Sequence, residues 1–196
     1  MMSGVDNEKR RFLTQAAGAV GAVGTGFLAV PFLSSMKPSA KAEALGAPVE
    51  VDIEKLEPGQ RSVVLWRGKP VWVLRRTPEA LQAISELDGE VLDPHSEQSG
   101  QPLSSKNEAR SIRPEIFVAV GVCTHLGCSP VFRPEVAPAD LGADWKGGFF
   151  CPWQGSTVAL AGRVYKGVPA PVNLEIPPYY FASENRIVVG HEGEKA

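Results

Sequence analysis

An uncharged apolar run near the N-terminus constrains this chain most, because it sets a membrane-length segment apart from the rest. Residues 12–36 contain no Asp, Glu, Lys or Arg and consist mainly of Ala, Gly, Val, Leu and Phe. A bilayer core requires about 20 apolar residues, whereas the apolar part of a cleaved signal peptide spans about 7–15. The length favours one uncleaved transmembrane helix, and a removed signal peptide is the alternative.

Basic residues directly before this run predict its orientation. Lys9, Arg10 and Arg11 precede the span and no basic residue lies inside it, which places the N-terminus in the cytoplasm and the remainder outside. The paired arginines followed by Phe-Leu look like a twin-arginine export signal, with plain positive-inside topology as the alternative. We therefore expect a cytoplasmic twin-arginine segment at 1–11 and a membrane anchor at 12–36.

An Ala-, Ser- and Lys-rich stretch separates the anchor from the rest of the chain. Residues 37–48 show no apolar periodicity, and Gly-Ala-Pro closes them. We expect a flexible hinge here, and its composition leaves helix or extended chain open. The head domain would then occupy residues 49–196.

The head has the pattern of a strand-and-turn protein. With 20 Gly and 17 Pro in 196 residues, and short runs of alternating polarity, it is typical of an antiparallel β-sandwich or small barrel with its loops at one end. The predicted elements are a first strand 49–53, a hairpin 62–74, a helix 77–86, a surface loop 88–113, and strands 116–122, 163–165, 173–176, 179–182 and 186–189. A net charge of −2 gives no reason to expect a nucleic-acid partner.

Two short segments, 123–128 (Cys-Thr-His-Leu-Gly-Cys) and 151–156 (Cys-Pro-Trp-Gln-Gly-Ser), hold all three cysteines of the chain. Thiolate and imidazole together are ligands of redox-active iron–sulfur sites and of zinc. A zinc ion on Cys123, His125, Cys128 and Cys151 has enough ligands, although zinc sites usually pair ligands on both sides. A disulfide between Cys128 and Cys151 suits an exported domain but leaves Cys123 and His125 unexplained.

The residues also resemble a known family, the Rieske iron–sulfur subunits of the bacterial cytochrome bc1 complex (ubiquinol–cytochrome c reductase). The resemblance covers nearly the whole chain and is highly specific. It is carried by the arginine-preceded anchor, the Ala-rich hinge, and segments 118–128, 162–164, 167–174 and 177–179. It implies a mainly β, Rieske-type head with a cluster-binding subdomain at about 121–172, preceded by one transmembrane helix.

The resemblance implies a [2Fe-2S] cluster with Cys123 and Cys151 on one iron and His125 on the other. Imidazole in place of thiolate raises the cluster potential, which suits quinol oxidation. His125 would contact the quinol and release a proton as the electron moves. The residues implied around the cluster are Leu126, Gly155, Ser156, Pro169 and Pro171, with the Ser156 hydroxyl bonded to a cluster sulfur.

Two positions in the second segment depart from the family. Where the family has Cys-Pro-Cys-His-Gly-Ser, Gln154 stands at the fourth ligand position and Trp153 at the position of a disulfide partner for Cys128. We therefore expect Cys128 to be unpaired and Trp153 to turn outward or distort its loop. A neutral glutamine amide is a weaker, harder donor than imidazole and carries no exchangeable proton at physiological pH.

The resemblance implies an electron-transfer subunit that takes an electron from ubiquinol and passes it to cytochrome c1. Cytochrome b and cytochrome c1 would be its partners, with the anchor in the bacterial inner membrane and the head in the periplasm. Two other hypotheses stay open: a cluster-free structural or assembly subunit, and a single metal ion on the three cysteines and His125. His95 and His191 are interpreted as incidental surface residues.

Overall fold

The computed structural model describes residues 6–193, and the chain forms two compact units. The first unit ends at Ala44 and the second begins at Leu45. This division falls inside the predicted hinge. Residues 1–5 of the predicted cytoplasmic segment lie outside the described part of the chain.

The first unit is dominated by one long helix, α1, over Asn7–Ser35. The carboxylate of Asp6 caps it by accepting from the backbone N–H groups of Glu8 and Lys9. None of its residues is buried, and 29 residues reach about 43 Å, enough to cross a bilayer. The helix therefore contains almost all of the predicted span, although it begins five residues earlier than residue 12.

A short helix, α2, occupies Ala40–Gly46 inside the predicted hinge. The Ser39 hydroxyl accepts from the N–H of Ala42 at 3.2 Å at its start. Ala is the best helix former in this stretch, so local propensity explains why helix prevails over extended chain.

The second unit is built from three antiparallel three-stranded sheets, in the orders β1-β9-β8, β2-β3-β4 and β5-β6-β7. The mainly β architecture expected from the sequence is therefore confirmed. The strand bounds are β1 Val49–Asp52, β2 Arg61–Trp66, β3 Lys69–Arg75, β4 Ile116–Val120, β5 Val131–Arg133, β6 Gly148–Cys151, β7 Ser156–Ala159, β8 Tyr179–Ser183 and β9 Arg186–Val189.

The predicted hairpin and helix of the head both form. β2 and β3 pair from Arg61↔Leu74 to Trp66↔Lys69, so Arg67 and Gly68 make a two-residue turn with φ of 50° and 72°. Helix α3 spans Pro78–Glu86, and the Thr77 hydroxyl caps it by accepting from the N–H of Ala80. In each case the deciding chemistry is local, which is why the sequence pattern was sufficient.

An aromatic stack joins the second sheet to the third. Trp72 of β3 lies 4.6 Å from Phe149 of β6, ring centroid to ring centroid, with the planes 17° apart. Phe117 and Phe132 contact the same Phe149 ring at 6.3 Å and 5.5 Å. Trp72, Phe117 and Phe149 are all buried, so this stack is the core beneath the third sheet.

Three expectations about irregular regions were wrong. Residues 163–165 and 173–176 are not strands: Val164 and Tyr165 form only isolated bridges, 173–176 form none, and the N–H of Val164 donates to the side-chain oxygen of Asn173. Strands β5, β6 and β7 were missed because they are short and interrupted by glycine, proline and the second cysteine segment. The stretch 88–113 is not simply a surface loop, because it buries Ser96, Ser105 and Arg110 and includes a 3₁₀ turn at Leu103–Ser105.

Candidate metal centre

The first cysteine segment leaves β4 as a tight turn. A Cβ at Gly121 would lie 2.2 Å from the Trp72 ring, so only glycine lets the chain pass this close to the aromatic core. The N–H of Cys123 donates to the carbonyl of Cys128 at 2.7 Å, and the N–H of Gly127 donates to the carbonyl of Cys123 at 3.0 Å. These two bonds close residues 123–128 into a loop with both cysteines at its base.

The second cysteine segment is the turn between β6 and β7. Cys151 and Ser156 are the last paired residues of the hairpin, and residues 152–155 form its tip. Gly155 has a φ of 70° and donates to the carbonyl of Cys151 at 2.9 Å. The side chain of Trp153 is 81% exposed. Of the two expected outcomes, the outward orientation is the one that the structure shows.

The two loops bring all three sulfur atoms together. The Sγ atoms of Cys123, Cys128 and Cys151 lie within 4.8 Å of one another. Cys123 and Cys151 are buried, and Cys128 is partly buried. Within the described residues this sulfur group includes no histidine. The predicted convergence of the cysteines is therefore present in the fold.

Cys128 is paired, which corrects the expectation that it is free. The structure joins it to Cys151 in a disulfide, the pairing that suits an exported domain. The physical reason is the replacement at position 153: with an outward-facing Trp153, the neighbouring sulfur within reach of Cys128 is that of Cys151. Cys123 remains a free, buried thiol.

His125 and Gln154 form the opposite side of the site. The side chains meet in a hydrogen bond between Nδ1 of His125 and Oε1 of Gln154. An amide oxygen only accepts hydrogen bonds, so Nδ1 is the donor in this pairing. Both side chains are partly buried. The two positions that the resemblance pairs on one iron are thus adjacent, but they are bonded to each other.

A proline-containing loop covers the first cysteine segment. The Thr124 hydroxyl donates to the carbonyl of Val172 at 2.6 Å, which ties residues 123–128 to the loop 167–172. Pro169, Pro171 and Gly155 are exposed, and Leu126 is 70% exposed. Apart from Ser156, the residues expected around the cluster are therefore exposed and largely apolar, and Leu126 directly follows His125.

Ser156 carries a polar atom without a partner. Its residue is fully buried, and its Oγ has no hydrogen-bond partner within the described range. A buried, unsatisfied hydroxyl is costly and indicates a missing acceptor. Its place beside Cys151 suits the role that the resemblance implies, a hydrogen bond to a cluster sulfur.

The donor set fits an iron–sulfur cluster at three positions and not at the fourth. Thiolates at 123 and 151 and an imidazole at 125 are ligands that clusters use. The neutral amide of Gln154 is not, and Cys151 must be a thiolate rather than half of a disulfide to bind metal. The residues therefore do not supply the two-cysteine, two-histidine set of the family.

Buried arginines that the sequence reasoning did not single out support these loops. The Arg110 guanidinium donates to the carbonyls of Gly162 at 2.9 Å and Leu174 at 2.6 Å. Arg163 donates to the Asp88 carboxylate at 2.5 Å and to the carbonyl of Ile84. Arg163 lies inside segment 162–164, one of the segments that carry the family resemblance, so the sequence could have singled it out. Arg110 lies in a polar stretch where no motif marks it.

Burial shifts the pKa values of the arginines in this part of the head. Burial lowers the pKa of Arg110 to about 10, opposed by the nearby Asp93, and lowers the pKa of Arg76 to about 9. Both remain cations at neutral pH. Burial tends to raise the pKa of Asp93, but hydrogen bonds from the N–H groups of Glu97 and Gln98 and from the Ser99 hydroxyl outweigh it, and this pKa falls below its ordinary value of 3.8.

Comparisons with known proteins identify relatives of the whole chain. The family model described as "Ubiquitinol-cytochrome C reductase Fe-S subunit TAT signal" matches residues 2–39. The ubiquinol–cytochrome c reductase iron–sulfur subunit of Allochromatium vinosum is 56% identical over 96% of this chain and 91% of its own length. The subunit of the same name from Blastochloris viridis is 40% identical over 93% of this chain and 92% of its own length.

Two further comparisons extend the set. The mitochondrial "Cytochrome b-c1 complex subunit Rieske" of Neurospora crassa is 37% identical over 91% of this chain and 69% of its own length. Among solved structures, a chain of a "Hyperthermophilic respiratory Complex III" aligns at 29% identity and a TM-score of 0.48, covering 89% of this chain and 98% of that one. From its sequence identity over almost the full length, this chain belongs to the family of Rieske iron–sulfur subunits of ubiquinol–cytochrome c reductase, an oxidoreductase complex of the respiratory chain.

Proposed function

We propose that this chain takes an electron from ubiquinol at cytochrome b and delivers it to cytochrome c1. The single observation that carries the proposal is the convergence of two cysteine-bearing loops at one end of the head. Cys123 and Cys151 meet there, Ser156 next to Cys151 in the hairpin has an unpaired hydroxyl, and His125 of the first loop contacts Gln154 of the second. A [2Fe-2S] cluster supplies one-electron chemistry when bound, and Cys123, Cys151 and His125 are the ligands we assign to it.

The same proposal assigns a place to each part of the chain. Residues 1–11 lie in the cytoplasm, 12–36 span the bacterial inner membrane, 37–48 form the hinge, and 49–196 form the periplasmic head. The length of α1 and the basic residues before its apolar part support this orientation. Within the head, the loops from about 121 to 172 form the cluster-binding part.

The exposed rim around His125 is the surface we assign to quinol contact. Nδ1 is engaged by Gln154, so Nε2 is the ring nitrogen that we assign to a hydrogen bond with a quinol hydroxyl. Leu126 is 70% exposed beside it, and Pro169 and Pro171 are exposed on the covering loop. An apolar rim around one polar nitrogen suits an aromatic ring that carries a hydroxyl.

Co-purification and turnover test this proposal together. The full chain, with a C-terminal tag, is expressed in a bacterium that lacks its own iron–sulfur subunit but retains cytochromes b and c1. We expect both haem proteins to co-purify with the tag and quinol–cytochrome c reductase activity to return. A tagged chain that reaches the membrane without either cytochrome would contradict the assigned partners.

The structural subunit is the second candidate, because Gln154 and the Cys128–Cys151 disulfide both compete with a family-type cluster. The same strain separates the two functions. A complex that assembles with both cytochromes but shows no turnover above the deletion strain would support the structural role. Activity that disappears in a His125→Ala variant while assembly persists would support the electron-transfer role.

A further inference from the structure

The ligand position that Gln154 leaves unfilled has a substitute nearby. Cys128 Sγ lies within 4.8 Å of the sulfur atoms of both Cys123 and Cys151. Two thiolates bound to one metal ion at about 2.3 Å each lie about 3.8 Å apart in tetrahedral geometry. The three sulfur atoms therefore lie close enough to share one metal ion, once reduction of the Cys128–Cys151 disulfide lets its two sulfur atoms separate to that spacing.

The identity of residue 153 makes Cys128 available. Trp153 is 81% exposed and has no sulfur, so it cannot hold Cys128 in the disulfide that the family resemblance implies. Cys128 is also fixed at the base of its loop, because its carbonyl accepts from the N–H of Cys123 at 2.7 Å. Its backbone therefore keeps the sulfur at the site whether or not the disulfide is present.

The chemistry of the donors favours sulfur over the amide. Iron in clusters, and thiophilic ions such as zinc, bind thiolate far better than a neutral amide oxygen. Gln154 Oε1 is in addition occupied by its hydrogen bond with His125. Of the two candidates for a fourth ligand, Cys128 is the stronger donor.

We propose that the reduced site is a three-thiolate metal site in which Cys123, Cys128 and Cys151 are ligands together with His125, and Gln154 is not. This inference rests on the proposed function only in that the same two loops hold the metal. Its chemistry, thiolate coordination of a thiophilic metal, is shared by an iron–sulfur cluster and by a single ion.

The Cys128–Cys151 disulfide then gates the site. A dithiol reductant gives two electrons and two protons to the disulfide, which yields two thiols and a cyclic disulfide of the reductant. Metal binding displaces the protons of these thiols and of Cys123. In the absence of metal, a disulfide oxidant that takes up two electrons and two protons from the Cys128 and Cys151 thiols closes the site again, which consumes two of its three sulfur ligands.

Metal loading of the full-length chain in detergent tests this ligand set. The protein is reduced anaerobically with dithiothreitol, freed of reductant, and loaded either with iron and sulfide or with zinc or cobalt(II) alone. We expect tight binding after reduction and at least tenfold weaker binding to the oxidised protein. Equal binding to both forms would overturn the gate and with it the three-thiolate site.

Two matched variants identify the fourth ligand. Cys128→Ser should weaken metal binding at least tenfold and lower thiolate-to-cobalt charge-transfer absorption by about one third, since one thiolate in three is lost. Gln154→Ala should leave both values within about twofold of the parent. The opposite ranking of the two variants would overturn the proposal. The melting temperatures of the reduced, metal-free proteins verify that each variant is folded.

The metal that is retained separates this inference from the proposed function. Two irons and two sulfides per chain, lost in Cys128→Ser, support both. Zinc or cobalt retained at one ion per chain without any cluster supports the three-thiolate site and contradicts the cluster of the proposed function. Iron and sulfide retained equally by Cys128→Ser would overturn the three-thiolate site and leave the proposed function standing. No metal in the reduced parent would overturn both.

Discussion

The two cysteine loops both form tight turns, but they differ in how many metal-binding side chains they carry. The first loop, 123–128, keeps its cysteines, its histidine and the closing hydrogen bonds of a ligand loop. The second loop, 151–156, forms a turn with Gly155 at a positive φ, but it carries Trp153 and Gln154 where the resemblance implies a cysteine and a histidine. A backbone scaffold is thus retained where the donor atoms are not.

The difference teaches that the loop fold does not depend on the ligands. The turn of the second loop is set by the β6–β7 register and by glycine, neither of which involves residues 153 or 154. Trp72 and Phe149 stack in the buried core and belong to neither loop. Stability and metal binding therefore depend on different residues, and a substitution can change one property without changing the other.

Removal of the aromatic core that supports both loops should have the largest effect on stability. Trp72→Ala removes a buried indole that contacts Phe149 and lies under Gly121, and we expect unfolding free energy to fall by about 3–5 kcal/mol. Urea denaturation measures this. Trp153→Ala is the matched control, since its 81% exposed side chain should change stability by less than about 0.5 kcal/mol. Similar losses in both variants would contradict the view that only one indole is structural.

Reduction of the disulfide should loosen the second loop from the first. A cross-link over 23 residues stabilises the fold by about 3 kcal/mol in the chain-entropy description. Metal-free protein treated with dithiothreitol should lose about that amount in urea denaturation. Cys128→Ser should start from the lower value and show no further change on reduction. A response to reductant in that variant would show that the measured loss comes from elsewhere.

Placing the cysteine and histidine that the resemblance implies in the second loop should give each loop one cysteine and one histidine as ligands. In the double variant Gln154→His with Trp153→Cys, Cys128 gains another disulfide partner, which frees Cys151 as a ligand. We expect iron retention to improve at least about 100-fold, or ~2.7 kcal/mol, measured as iron and acid-labile sulfide after chelator challenge. Each single variant should give less than the pair. No gain of iron in the double variant would count against an altered ligand set as the cause.

The hydrogen bond from the first loop to its cover should have a smaller effect. Thr124→Val keeps the shape of the side chain but removes the bond to the carbonyl of Val172, and we expect a loss of about 0.5–1 kcal/mol. Hydrogen exchange of residues 167–172 should increase at the same time. The control is Thr157→Val in β7, whose hydroxyl makes no hydrogen bond within the described part of the chain. Equal effects would show that the cover is held by other contacts.

Acid should have the smallest effect of these changes, through the bonds of Asp93 that support the loop 167–172. The pKa of Asp93 is lowered, so its contribution to stability is complete above pH 3.8 and is lost as pH falls through the folded-state pKa. Its carbonyl also accepts from the Asn173 amide at 2.9 Å, next to the covering loop. Asp93→Asn should lower stability at pH 7 and flatten its decline below pH 4. An unchanged acid profile would assign that decline to other carboxylates.

The sequence predicted those parts of the molecule whose causes are local. The anchor follows from the apolar residues of α1, the hairpin from Arg67-Gly68, and helix α3 from its Thr-Pro cap, because each depends on neighbours in the chain. Residues 163–165 and 173–176 were misread as strands, because the N–H of Val164 donates to the Asn173 side chain. Such pairings have no periodicity to detect.

By itself the sequence determined the family and predicted the anchor helix and the candidate site residues, because motif spacing and apolar length are written along the chain. Only the tertiary structure decided which of those residues meet. It brought Cys128 onto Cys151 and His125 onto Gln154, and it buried Ser156 without a partner. The physical reason is that a bond between side chains depends on where two loops are held in space, and here the stacked core beneath them sets that position.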